Sequence, residues 1–99
     1  MILLIDTSSN KEVKVGLEID GKEHMVNKPL DTRKAQAVLP MIEELLKKHK
    51  LELKDISEIK VNPGPGSFTG VRVGATIANT LGFLLKIPVN GKDIVEPVY

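Results

Sequence analysis

Hydrophobic and polar positions divide the chain into strand-like and helix-like runs. Ile2, Leu3, Leu4 and Ile5 are continuously apolar, the pattern of a strand covered on both faces and therefore central in a sheet. Asp6, Thr7, Ser8, Ser9 and Asn10 end that run with turn-forming side chains. Val13, Val15, Leu17 and Ile19 then alternate with Lys14, Gly16, Glu18 and Asp20, a period of two that predicts a strand with one better-buried face. Asp20-Gly21 follows at once. Both central residues of a type I′ turn need positive φ, so residues 22–28 are predicted to return antiparallel. Their lysines and weak alternation mark an edge strand.

From Ala35 the spacing changes to three and four residues, through Val38, Leu39, Ile42, Leu45, Leu46 and His49. This predicts an amphipathic helix behind an Asp31 or Thr32 cap. Pro40 lacks a backbone donor and crowds the preceding turn, so a kink is expected there, or a helix regular only beyond it. Residues 55–61 read as a short strand and residues 69–85 as a second helix. Ile87-Pro88-Val89 can form only a short strand near an edge. The order is thus β-β-β-α-β-α-β, an antiparallel meander followed by right-handed parallel crossovers. With the most apolar strand central and the weakest two outermost, the expectation is an α/β fold. Its mixed five-stranded sheet has the order 3-2-1-4-5 and carries two helices.

The second helix has a pattern of its own. Gly70, Gly74, Ala78 and Gly82 recur every four residues, a small-residue ridge that lets another backbone approach closely. An interior glycine costs about 1 kcal/mol relative to alanine, so three in one helix imply close packing that offsets the loss. Val71, Val73, Ile77, Leu81, Phe83, Leu84 and Leu85 are spread around the remaining circumference. A helix apolar nearly all round is covered on more than one side. Two helices on one sheet leave part of it over, which points to a partner interface.

Just before it, "VNPGPGSFTGVRVG" occupies residues 61–74. A Walker loop would need a lysine that is not there, and a dinucleotide fingerprint would need glycine where Thr69 stands. The strand-loop-helix setting suits an anion, but Pro63 and Pro65 offer no N–H. The reading favoured by the residues is a turn built by Gly64 and Gly66 with Ser67 or Thr69 as helix cap. An anion or nucleotide site would draw on Asp6, Thr7, Ser8, Gly66, Ser67 and Thr69.

Composition narrows the chemistry further. At 99 residues the chain is one domain, 1–99, and its 14 basic and 13 acidic side chains give no basic excess for nonspecific nucleic-acid binding. Without cysteine there is no disulfide, thiolate nucleophile or zinc-thiolate site. His24 and His49 have no acidic or histidine partner at ligand spacing, so no metal site is expected. Asp93 and Glu96 decorate the terminal segment, and Lys47, Lys48 and Lys50 form a cationic helix end. The first residues have neither a basic leader nor the length of a membrane span, so the expected location is the cytoplasm, with no membrane contact. A peptidase would lack cysteine, a His-Glu-x-x-His motif, and any histidine near a serine in sequence.

With "ILLIDTS" at the start, "LPMIEELL" in the first helix and "NPGPGSFTGVRVGATIANTLGF" across the loop and second helix, the chain resembles the bacterial TsaB (YeaZ) family along almost its whole length. "GPGSFTG" followed by Val71-Arg72-Val73-Gly74 is the most specific part. The resemblance implies one lobe of the actin-like ATPase, ribonuclease-H-like fold, equivalent to the N-terminal lobe of the family, with the second lobe absent. It implies a noncatalytic scaffold, not an enzyme, in the synthesis of threonylcarbamoyladenosine in tRNA. The scaffold binds the catalytic subunit TsaD; the TsaE ATPase joins, and tRNA is met through the complex. ATP and Mg²⁺ would be used by partner subunits, with no cofactor on this chain. Carried over by position, the partner interface would use Leu39, Met41, Ile42, Leu45 and Leu46 of the first helix. From the second it would use Gly70, Val73, Gly74, Ile77, Ala78 and Leu81. A homodimer through the same helices is the expectation for the chain alone. Where many relatives carry His-Ser-Glu, this chain has Lys34-Ala35-Gln36, so no contact of that trio is carried over. A small nucleotide- or phosphate-binding enzyme using the Asp6 and Ser67 groups is the alternative reading.

Overall fold

The computed structural model describes residues 1–29 and 34–92. The Asp31 or Thr32 cap and the Asp93 and Glu96 decoration lie outside them. Strands β1 (Ile2–Asp6), β2 (Glu12–Ile19) and β3 (Lys22–Pro29) precede helix α1 (Lys34–Lys48); β4 (Glu58–Val61) and helix α2 (Phe68–Leu85) follow. The sheet order is β3-β2-β1-β4, with β1 antiparallel to β2, β2 antiparallel to β3, and β1 parallel to β4. Asp20 and Gly21 both have positive φ, 52° and 81°, as the hairpin requires. Helix α1 is continuous through Pro40, which sits on its exposed side.

Among the described residues the sheet has four strands, in place of the five expected. Of the segment expected as the fifth, Val89 alone makes a parallel bridge, to Ile59 on the outer edge of β4. Pro88 has no N–H to give, and Asn90 and Gly91 turn the chain back at once at φ 51° and 76°. Val89 and Lys92 exchange both backbone hydrogen bonds across this turn. The Asn90 side chain takes the place of the missing strand residue: its Oδ1 accepts from Val61 N–H at 2.9 Å and its Nδ2 donates to the Val61 carbonyl at 2.8 Å. Asn90→Ala removes both bonds and leaves a β-carbon residue at positive φ. It is expected to lower stability by about 2 kcal/mol in urea denaturation.

Both helices lie on one face of the sheet. Leu3 and Ile5 of β1, Val13, Val15 and Leu17 of β2, and Ile59 and Val61 of β4 meet Val38, Ile42, Leu45 and Leu46 of α1 in a single core, closed on the other side by Ala78 and Leu81 of α2. The opposite face of the sheet is not covered by a described element. The apolar run of β1 therefore makes the strand central without burying it twice: Ile2 and Leu4 are half-buried. Next to Leu4 in the ladder, Gly16 is roofed by the thioether of Met25, which occupies the space a β-carbon would take. Strand β3 is exposed along nearly its whole length, as expected of an edge.

Candidate partner interface

The loop after β4 ties the end of β1 to the start of α2. Ser67 N–H donates to the Ser8 carbonyl at 2.9 Å, and Ser67 Oγ caps α2 by accepting from Gly70 N–H at 3.3 Å. Gly66 lies flat on Ser8; a β-carbon there would stand 2.7 Å from the Ser8 carbonyl oxygen and 2.8 Å from its Cβ. Asn62, which no spacing along the chain singles out, donates from Nδ2 to Ser8 Oγ at 3.1 Å and accepts from Gly64 N–H at 3.0 Å. The turn reading of the glycines holds, with Ser67 as cap.

The groups offered for an anion are turned toward one another. Ser8 N–H and Oγ both donate to Asp6 Oδ1, at 3.0 and 2.6 Å. Thr7 is wholly buried and its hydroxyl donates to the Gly70 carbonyl. Thr69 is exposed on α2, away from that network. Burial alone would raise the Asp6 pKa, but the Ser8 hydroxyl and amide, Asn62 and the charge of Lys14 outweigh it and hold the carboxyl below its usual range. An ionised carboxylate with its donors already supplied repels a second anion. Because the folded pKa is the lower one, Asp6 stabilises the fold above the unfolded value of 3.8. That contribution disappears as pH falls through the depressed folded value. Asp6→Asn is therefore expected to flatten the loss of thermal stability below about pH 4, read as melting temperature against pH.

The small-residue ridge faces the chain's own sheet. Gly70, Gly74, Ala78 and Gly82 are all buried. A β-carbon on Gly74 would collide with Thr7 Oγ1 and stand 3.3 Å from Val61 Cγ2; one on Gly82 would stand 2.5 Å from Val89 Cγ2. Met41, Ile42, Leu45, Leu46 and Leu81 are likewise buried in the isolated chain. The interface residues named from sequence thus separate into two sets. Leu39 is 46% exposed, and Val73 and Ile77 are half-buried at the surface; the other eight face inward.

What remains outside is an apolar strip that includes residues the periodicity did not single out for contact. A cleft of about 330 Å³ is lined by Ala35 of α1 and by Phe68, Thr69, Arg72, Val73, Thr76 and Ile77 of α2. Phe68 is 56% exposed, and further along α2 Phe83 and Leu84 are 81% and 67% exposed. The Arg72 guanidinium lies over the Phe68 ring, 5.3 Å from its centroid. On the far side of α1, His24 and His49 meet with ring centroids 4.6 Å apart, a pairing of a strand with a helix end that spacing along the chain does not reveal. Among the described residues no group of three or more His, Cys, Asp or Glu is placed to hold a metal ion.

The family model described as TsaD, tRNA N6-adenosine threonylcarbamoyltransferase, matches residues 29–92. The tRNA threonylcarbamoyladenosine biosynthesis protein TsaB of Haemophilus influenzae is 39% identical over 88 residues, covering 89% of this chain and 37% of that protein. Its namesake from Escherichia coli is 36% identical over 90 residues, covering 91% and 38%. The solved structure of YeaZ from Pseudomonas aeruginosa superposes with a TM-score of 0.84 at 33% identity, over 89% of this chain and 41% of that one. A second structure with the same score is described as an uncharacterised protein with similarity to peptidase YeaZ from Pseudomonas aeruginosa. The chain spans about two fifths of the length of these relatives. At 39% and 36% identity over about nine tenths of its length, and with the fold of the solved YeaZ structure, the chain belongs to the TsaB (YeaZ) family.

Proposed function

We propose that this chain is a noncatalytic docking subunit in the synthesis of threonylcarbamoyladenosine in tRNA. It pairs a TsaD-like subunit against the outer faces of α1 and α2. The observation that carries the reading is a strip of apolar side chains at the surface, Leu39, Phe68, Phe83 and Leu84 exposed and Val73 and Ile77 half-buried beside them. A hydrophobic surface of this kind on a small domain marks an interaction site. Helix α2 has the 18 residues and mean hydropathy of 1.2 that a membrane span would need. Its ridge, however, is committed to the sheet, and Thr69, Arg72, Thr76 and Thr80 punctuate its exposed side. That mixture suits a protein partner better than lipid.

The chain is similar both to TsaB proteins and, at 39% identity over 59 residues, to a tRNA N6-adenosine threonylcarbamoyltransferase from Nitrosospira multiformis. Two related lobes present related helix pairs, so like faces can meet about a pseudo-twofold axis. A second copy of the chain would use the same face when the partner is absent. Nucleotide and magnesium belong in this reading to TsaD-like and TsaE-like partners in the cytoplasm, with tRNA held by the assembly. The alternative of a small nucleotide-binding enzyme draws no support from the Asp6 cluster, whose donors are engaged internally. The experiment is the solution mass of the chain alone and mixed with the TsaD-family subunit of the same organism. A mixture that sediments as separate species counts against the proposal.

A further inference from the structure

We propose that Arg72 is a selectivity contact in the docking cleft, its guanidinium receiving a carboxylate from the apolar helix face that docks there. This rests on the cleft being a protein-docking surface. Arg72 is the one ionisable group among the described residues lining the cleft. It is exposed, and no described carboxylate pairs with it: the ion pairs seen join Lys14 to Glu12 and Lys54 to Glu52.

Its position is not explained by the helix that carries it. Phe68 is the first residue of α2, and Arg72, four residues on, leans back over the Phe68 ring, in the direction helical side chains take. The positive charge therefore stands beside the N-terminal turn, where the helix dipole disfavours a cation and where α2 carries no acidic residue to offset it. Helix stability alone would place an acid there. The same field, guanidinium and helix end together, attracts a negative group from outside.

The stacking also prepares the contact. A guanidinium lying on an aromatic face keeps its N–H edge free for a planar, two-point hydrogen bond, and it has less freedom to lose on binding. Carboxylate is favoured over a nucleic-acid phosphate because the floor beside it, Val73 and Ile77, is apolar and holds no second cation. An apolar floor with one fixed positive group accepts a hydrophobic helix bearing Asp or Glu and rejects one bearing Lys at that point.

The test is calorimetric titration of the TsaD-family subunit of the same organism with wild type, Arg72→Gln, Arg72→Glu and Val73→Arg, at about 50 and about 500 mM NaCl. Melting temperatures would confirm that each variant is folded. Arg72→Gln is expected to weaken binding about tenfold and to flatten its salt dependence, and Arg72→Glu to weaken it about a hundredfold or more. Arg72→Glu at wild-type affinity overturns the carboxylate contact, as does a weakened Arg72→Gln that keeps the full salt dependence. If Val73→Arg alone loses binding, the docking face stands and only the role of Arg72 falls. Wild-type affinity in all three variants overturns both.

Discussion

Gly74→Leu is expected to lower the stability of the domain by about 3 kcal/mol or more, enough to unfold a large share of a marginal protein. The first side-chain atom already has no room: it would collide with Thr7 Oγ1 and press on Val61 Cγ2. Neither neighbour can give way cheaply. Thr7 is wholly buried with its hydroxyl donating to the Gly70 carbonyl, and Val61 is in the core. Gly74→Ala sets a gain in helix propensity of about 1 kcal/mol against the same collision, so it should fall between wild type and leucine. Urea denaturation followed by circular dichroism reads the series. An unchanged midpoint for leucine would contradict the seating of α2 on β1 and β4. From sequence alone the same substitution belongs to the partner interface and should leave the domain folded; the geometry reverses that expectation.

Val73→Arg should do the opposite: leave the fold intact and remove the partner. Val73 is half-buried, lines the cleft and lies one residue before the buried Gly74, on the outward side of the helix. An arginine there can extend into solvent along its aliphatic stem, so little stability is lost. In a complex it would place an unpaired charge in the apolar centre of the contact, where such groups cost most. A loss of affinity of about a hundredfold or more is expected, with the melting temperature nearly that of wild type. Leu39→Arg, on α1, is the independent second variant, since that side chain is 46% exposed.

The strands and helices were legible wherever the signal is local. Asp20-Gly21 announces its hairpin through the positive φ it needs, and of the alternating Val13, Val15, Leu17 and Ile19 the first three are buried, with Ile19 half-buried at the strand end. The fifth strand expected at residues 87–89 stops at a single bridge because Asn90-Gly91 carries the same turn signal as Asp20-Gly21 and ends the segment before a ladder can form. The ridge of α2 is plain in the sequence, but its neighbour is not: Gly74 meets Thr7 and Val61, and Gly82 meets Val89. Period-four spacing shows that Gly70, Gly74 and Ala78 share a face, but whether a strand or another helix fills it depends on Val61 and on Thr7, the latter far away in the chain. The outward residues, Phe68 and Arg72 above all, carry no periodic signal strong enough to separate interface from ordinary surface. They became visible only once the ridge was turned inward.

The central claim, that the outer face of α1 and α2 is a docking surface for a TsaD-like subunit, is tested most directly by sedimentation of the chain with the TsaD-family subunit of the same organism. The account predicts a single species with the summed mass of one copy of each, which separates into its components when Val73→Arg replaces the wild type. Two independent species with the wild-type chain, or a complex that Val73→Arg and Leu39→Arg leave unchanged, would contradict it.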